Sequence, residues 1–146
     1  MAKEVLPKIR KFKIEDINKI LEIEDQSFPK TPYSKEIFLN YENSFPDSFI
    51  IIETGKEIAG YIIFDLSGHV LSTAVKPSYR RKGFGKMLAM HALKSVPEKL
   101  WLEVRSKNIA AIKFYKKLGM KIIGKTSNYY ESDDALPFGA LMVLGP

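Results

Sequence analysis

The apolar spacing of this chain changes period at Lys76-Pro77, and that change restricts the folds open to it more than any single residue does. Before it, strands dominate. Lys8 to Phe12 alternates as a short strand whose start Pro7 confines to an edge or a strand end. Phe49 to Glu53, the turn Thr54-Gly55-Lys56 and Ile58 to Leu66 read as a hairpin, and His69 to Val75 adds a strand past Ser67-Gly68. Between the first strand and the hairpin, Ile17, Ile20, Leu21 and Phe28 recur at helical spacing from Glu15 to about Ser27, with Glu22, Glu24 and Asp25 elsewhere around the wheel. Two prolines in Phe28-Pro29-Lys30-Thr31-Pro32-Tyr33 end that helix in a rigid aromatic loop, and Ser34 caps a short second helix carrying Ile37, Phe38 and Tyr41. After Lys76-Pro77 helix and strand alternate: helix from about Gly83 to Ser95, stopped by Pro97, strand Leu100 to Val104, helix Asn108 to Leu118, and strands Lys121 to Tyr130 and Ala140 to Leu144. The expectation is one α+β domain over residues 1–146 around a mostly antiparallel sheet. Leu136-Pro137-Phe138-Gly139 should make the last strand start late or bulge.

A chain of 146 residues with 45% apolar and 27% charged residues can enclose one core and is not of disordered composition. The absence of cysteine removes disulfides, thiolate zinc sites, iron–sulfur clusters and cysteine nucleophiles together. His69 and His91 stand too far apart for a helical metal pair, so no metal is expected. The longest apolar runs, Ile50 to Ile52 and Ala140 to Leu144, fall far below the ~20 residues a membrane helix needs. The start, Met1-Ala2-Lys3-Glu4, has no signal-like apolar region, and a soluble cytoplasmic protein without a membrane partner is expected. An excess of 23 basic over 17 acidic residues gives +6 and a preference for polyanions: nucleic acid, ribosome or a phosphate-bearing cofactor. Charge alone does not choose among them.

Gly119 to Thr126 satisfies the P-loop string, but it follows a helix, has a strand-like middle in Lys121-Ile122-Ile123 and leads into no helix, so Gly119 reads as a helix-ending glycine. Arg80-Arg81-Lys82-Gly83-Phe84-Gly85-Lys86 differs, because it lies between a strand and a helix start. Glycines there let backbone N–H groups approach a ligand, the first helical turn has free amides, and the flanking cations add charge, so a pyrophosphate fits. A dinucleotide fold would want a third glycine where Leu88 stands. The competing reading is a solvated basic turn.

Val75-Lys-Pro-Ser-Tyr-Arg80-Arg-Lys-Gly83-Phe-Gly85-Lys-Met-Leu88 resembles the acetyl-CoA loop of the GNAT N-acetyltransferases, and Leu102 to Met120 resembles the second half of the same fold. With Tyr129-Tyr130 and Asp133-Asp134-Ala135 the likeness extends over most of the chain and narrows to protein N-terminal acetyltransferases. The nearest groups are the RimI ribosomal-protein alanine acetyltransferases and the archaeal and eukaryotic NatA catalytic subunits. The resemblance implies a single-domain GNAT fold, a mixed and mostly antiparallel central sheet with helices on both faces. It implies acetyl-CoA as cofactor, with Thr73, Ala74 and Val75 on the pantetheine, Arg80, Arg81, Lys82, Gly83, Phe84, Gly85 and Lys86 around the pyrophosphate, and Asn108 further along. Glu103 would be the general base and Tyr115 the general acid. The acceptor would be a protein or peptide N-terminus, a ribosomal protein among the candidates, bordered by Phe28, Pro29, Tyr33, His69, Tyr129 and Tyr130.

Strand alternation puts Glu103 with Trp101 and Arg105, opposite Leu100, Leu102 and Val104; the alternative is an exposed strand charge. Tyr115 follows Ala111 by four and precedes Leu118 by three, so a plain core aromatic is its alternative role. A structural polar group is the alternative for His69, and His91 reads as structural. Glu103 follows the RimI group whereas Gly68-His69 resembles the NatA subunits, which leaves the acceptor class open. The rival functions are acetylation of a small amine and an RNA- or ribosome-binding module without turnover, although nucleic acid is not expected as a partner.

Overall fold

Phe49, Ile50, Ile51 and Ile52 are consecutive and all buried, which a strand can achieve only when both of its faces are covered. The computed structural model, which describes residues 6–30, 32–105, 108–127 and 138–144, shows what covers them. In chain order the elements are β1 (Lys8–Lys11), α1 (Ile17–Ser27), α2 (Lys35–Ser44), β2 (Phe49–Thr54), β3 (Glu57–Phe64), β4 (Val70–Val75), α3 (Phe84–Ser95), β5 (Leu100–Arg105), α4 (Ile109–Leu118), β6 (Lys121–Ser127) and β7 (Phe138–Leu144). One side of β2 and β3, through Phe49, Ile51, Tyr61 and Ile63, packs on Ile20 and Ile23 of α1 and Phe38 of α2. The other side, through Ile50, Ile52, Ile62 and Phe64, meets Leu88 and Ala92 of α3 and continues into Leu100, Leu102 and Val104 of β5. Each fully buried isoleucine stabilises by about 1.5–3 kcal/mol, so this two-sided core supplies most of the driving force.

The strands form two sheets, β1-β2-β3-β4 and β5-β7-β6, and every ladder in them is antiparallel. Among the described residues a single parallel bridge, His69 to Trp101, joins them. The expected α+β arrangement with helices on both faces is present, and its sheet parts between β4 and β5. Ser34 caps α2 by accepting from the Ile37 N–H at 3.4 Å, as its sequence position predicts. Arg10 reaches across from β1 with both terminal nitrogens 2.9 Å from the Asp16 carboxylate, which also accepts from the Lys13 N–H at 2.8 Å and so fixes the start of α1.

Two sequence expectations are corrected. β7 starts at Phe138 and not at Ala140, because it lies between β5 and β6, and both neighbours pair with Gly139. The irregularity falls instead on β6, where the register shifts between Ile122 and Gly124. Second, Glu24 does not face away from the apolar stripe of α1; it is 2% exposed. Its spacing of four from Ile20 and seven from Ile17 already put it on that stripe. Gly119 ends α4 in the left-handed conformation at φ 105° and β6 follows, so the P-loop string has no phosphate-loop context. No helix among the described residues is long and apolar enough to cross a membrane, and no three metal-ligating side chains cluster there.

Candidate active site

The parting of the sheet begins at Gly68. The Trp101 N–H donates to the Gly68 carbonyl at 2.8 Å, and a Cβ on Gly68 would stand 1.9 Å from the Lys99 carbonyl oxygen, so only glycine lets the two strands meet here. Asp65 secures the turn before it, accepting from the N–H groups of Ser67 and His69 at 2.9 and 3.0 Å. Burial opposes its ionisation, but the Ser67 hydroxyl and those N–H groups outweigh burial and hold the Asp65 carboxyl below its ordinary range. Beyond the bridge β4 and β5 share no ladder among the described residues. β4 also carries an extra residue, Leu71, where the register with β3 shifts.

Two side chains flank this parting from opposite faces. Glu103 alternates with the core residues Leu102 and Val104, which aims it to the α1/α2 side. There its Oε2 lies 2.8 Å from Nε2 of His69, whose ring stacks on Trp101 at 4.0 Å and 9°. Tyr115 stands on the α3/α4 side, packed against the core and edge-on to Phe114. Burial pushes its phenol up to about 12, and its hydroxyl makes no hydrogen bond among the described residues. Tyr115, Thr73, Gly85, Leu102 and Phe114 help to line a narrow cavity of about 20 Å³ in the parting. A wider groove of about 400 Å³, lined by Arg10, Lys11, Asp47, His91 and Ser95 among others, shares no residue with it.

The basic loop enters from the α3 end. Arg81 and Gly83 both take left-handed backbone, φ 64° and 82°, and Gly83 caps α3 with no side chain over its first amides. A non-glycine residue held there costs of order 1–2 kcal/mol, strain that collects at functional sites. The amides of the first turn are left to an anion, the positive end of the helix favours one, and Arg80, Arg81, Lys82 and Lys86 are all exposed beside them. Phe84 belongs to the core, so its backbone alone serves the loop. Thr73 already donates its hydroxyl to the Tyr61 carbonyl at 2.9 Å, while Ala74 and Val75 pair with Tyr61 and Gly60 on β3. Asn108 caps α4, accepting from the Ala111 N–H at 3.1 Å.

On the α1/α2 side, Phe28 is 39% exposed and Pro29 is exposed, whereas Tyr33 leans on Phe38 and Tyr41 and donates its hydroxyl to the Leu71 carbonyl at 3.4 Å. Tyr129 and Tyr130 lie outside the described residues. Glu24 is the polar residue that the sequence reading passed over. It accepts from the Tyr33 N–H at 2.8 Å and from the Tyr61 hydroxyl, which also meets the Ser72 hydroxyl at 2.8 Å. Burial pushes its carboxyl up, and those two donors pull it back only in part.

A model of the acetyltransferase (GNAT) family matches residues 16–120. The chain belongs to this GNAT family. Among GNAT proteins it is 32% identical over 149 residues to an N-alpha-acetyltransferase of Sulfurisphaera tokodaii, covering 88% of this chain and 89% of that one. It is 30% identical over 120 residues to the [ribosomal protein bS18]-alanine N-acetyltransferase of Escherichia coli K12, covering 77% and 80%. The solved structure of Ard1 from Thermoplasma volcanium superposes with a TM-score of 0.82 at 27% identity, covering 95% of this chain and 97% of that one. GNAT enzymes use acetyl-CoA, and the residues present fit it: exposed amides and four cations for a pyrophosphate, then a parting between strands for an extended arm.

Proposed function

We propose that this GNAT protein acetylates the α-amine at the N-terminus of a protein or peptide, with the whole chain as one catalytic domain. The observation that carries the reading is the placement of Glu103, paired with His69, on one face of the parted sheet and Tyr115 on the other. Acetyl-CoA supplies the acetyl group as a thioester when bound. The loop from Arg80 to Lys86 would hold its pyrophosphate, and β4 from Thr73 to Val75 would offer backbone to its arm. Glu103 takes the proton from the acceptor nitrogen, directly or through water, with His69 fixing its orientation. Tyr115 would supply the proton for the departing sulfur, without a covalent enzyme intermediate.

The nature of the base favours an α-amine. Such an amine has a pKa of about 7.7–8.0 against about 10.4 for lysine, so deprotonating lysine near neutrality costs roughly 3 kcal/mol more at about 1.36 kcal/mol per unit. The names of the relatives point to the same acceptor. A ribosomal protein is one candidate, and the cytoplasm is where we place the reaction. Phe28, Pro29, Tyr33, Tyr129 and Tyr130 border the acceptor. The test uses peptides with free and blocked N-termini, with or without an internal lysine, and mass spectrometry of the products. Acetylation of the free terminus alone is expected; equally fast modification of lysine in the blocked peptide would overturn the reading.

A further inference from the structure

Glu24 meets the loop that carries Phe28, Pro29 and Tyr33 at both ends, once through the last helical bond of α1 and once through its side chain. Its backbone carbonyl accepts from the Phe28 N–H at 2.8 Å, and its side-chain Oε2 accepts from the Tyr33 N–H at 2.8 Å. Pro29 and Pro32 have no N–H to offer, and of these two bonds only the one to Tyr33 depends on the side chain of Glu24. The other carboxylate oxygen accepts from Tyr61, which is bonded in turn to Ser72 of β4, and Ser72 follows Leu71, the residue that receives the Tyr33 hydroxyl. The network therefore runs from the loop through α1 and β3 to β4, three residues beyond His69.

A buried carboxylate that makes no ion pair among the described residues is a costly way to fill space, and an apolar side chain would pack there more cheaply. What it supplies, and leucine could not, is two acceptor oxygens in fixed directions. We propose that Glu24 is a positioning residue for the acceptor: it sets the loop's distance from His69 and Glu103 and so governs how tightly the N-terminal residue of a peptide is bound. This rests on the reading above that the loop borders the acceptor.

The experiment compares the full chain with Glu24→Leu, Glu24→Gln and Phe28→Ala, measuring peptide KM, kcat at saturating peptide, and CoA affinity by calorimetry. Glu24→Leu keeps the bulk and loses the acceptors; KM is expected to rise about tenfold with kcat and CoA affinity within about twofold. Glu24→Gln retains an oxygen for Tyr33 and can donate to Tyr61, so it should restore KM to within about threefold of the original. An unchanged KM in Glu24→Leu, or a kcat that falls as much as KM rises, overturns the proposal, since a merely structural residue would not split the two constants. If Phe28→Ala raises KM and Glu24→Leu does not, the loop borders the acceptor and the role of Glu24 is wrong. If neither raises it, both are wrong, and a rise in Glu24→Leu alone keeps the proposal with Tyr33 as the contact. Should Glu24→Leu not fold, or no peptide be acetylated, hydrogen exchange of the Tyr33 amide in the unaltered chain decides: slow exchange upholds the clasp and exchange at the rate of an open loop overturns it.

Discussion

Nε2 of His69 lies 2.8 Å from Oε2 of Glu103, across the only bridge described between two sheets that otherwise diverge. The contact depends on residues outside the pair. Gly68 lets the strands touch, Asp65 fixes the turn, and Trp101 presents a flat ring for the imidazole. Sequence reading assigns the two residues to different enzyme groups, whereas the fold makes them hydrogen-bonded neighbours.

In the proposed mechanism the pair acts as one unit, so their substitutions should not add. Glu103→Gln is expected to lower kcat by ~10²-fold or more, His69→Ala by less, and the double variant by little more than Glu103→Gln alone. Steady-state kinetics of the four proteins checks it; fully additive losses would show two independent contributions.

Tyr115→Phe removes the proposed proton donor without altering the packing of the ring. A kcat at least ~10²-fold lower with unchanged CoA affinity is expected. Since burial holds this phenol up to about 12, the original enzyme should show no fall in activity from its ionisation up to about pH 10, where an ordinary tyrosine titrates. A pH–rate profile supplies the measurement.

Gly85→Glu sets a carboxylate where the first-turn amides of α3 attract an anion. Its Cβ would meet the far end of the Phe114 ring at 2.7 Å, and because Phe114 is 42% exposed that ring can swing away and leave the fold intact. Loss of CoA binding by calorimetry, with an unchanged circular dichroism spectrum, is the expected outcome.

Glu24 gives the chain a pH dependence of definite sign. Burial raises its folded-state pKa above the ordinary 4.5, so the native state holds the proton more tightly than the unfolded one. The stability this confers is complete below pH 4.5 and is lost as the pH climbs through the folded value. Relative to the original protein, Glu24→Gln should therefore gain melting temperature as the pH rises above 4.5, and the difference should level off below it. Thermal denaturation across that range checks it.

The turn and helix start from Arg80 to Lys86 were legible because two glycines and flanking cations fall between a strand and a helical pattern within seven consecutive residues. Tyr115 was legible because helical spacing alone assigns it to the packed face, and Glu103 because strand alternation separates it from Leu102 and Val104. The burial of Glu24 was not, since its donors lie nine and 37 residues away and only the folded sheet brings them in. The one meeting point of the two sheets was equally hidden: it turns on the close approach of Gly68 to the Lys99 carbonyl, a contact between separate segments. β7 shows the same principle, since pairing on two sides decided where it began.

The parting of β4 from β5 carries a liability. Val70-Leu71-Ser72-Thr73-Ala74-Val75 has no charge and no proline, the usual guards of a strand edge, and on its β5 side it presents an edge past the bridge. A six-residue uncharged edge of this kind is a template for a strand from another molecule, and aggregation is the form its exposure would take. Acetyl-CoA lying along it would act as a guard as well as a reactant, and at a hundred times its dissociation constant would stabilise the native state by about 2.7 kcal/mol. Storage without the cofactor should therefore favour clumping, with light scattering beginning at a lower temperature than when CoA is present.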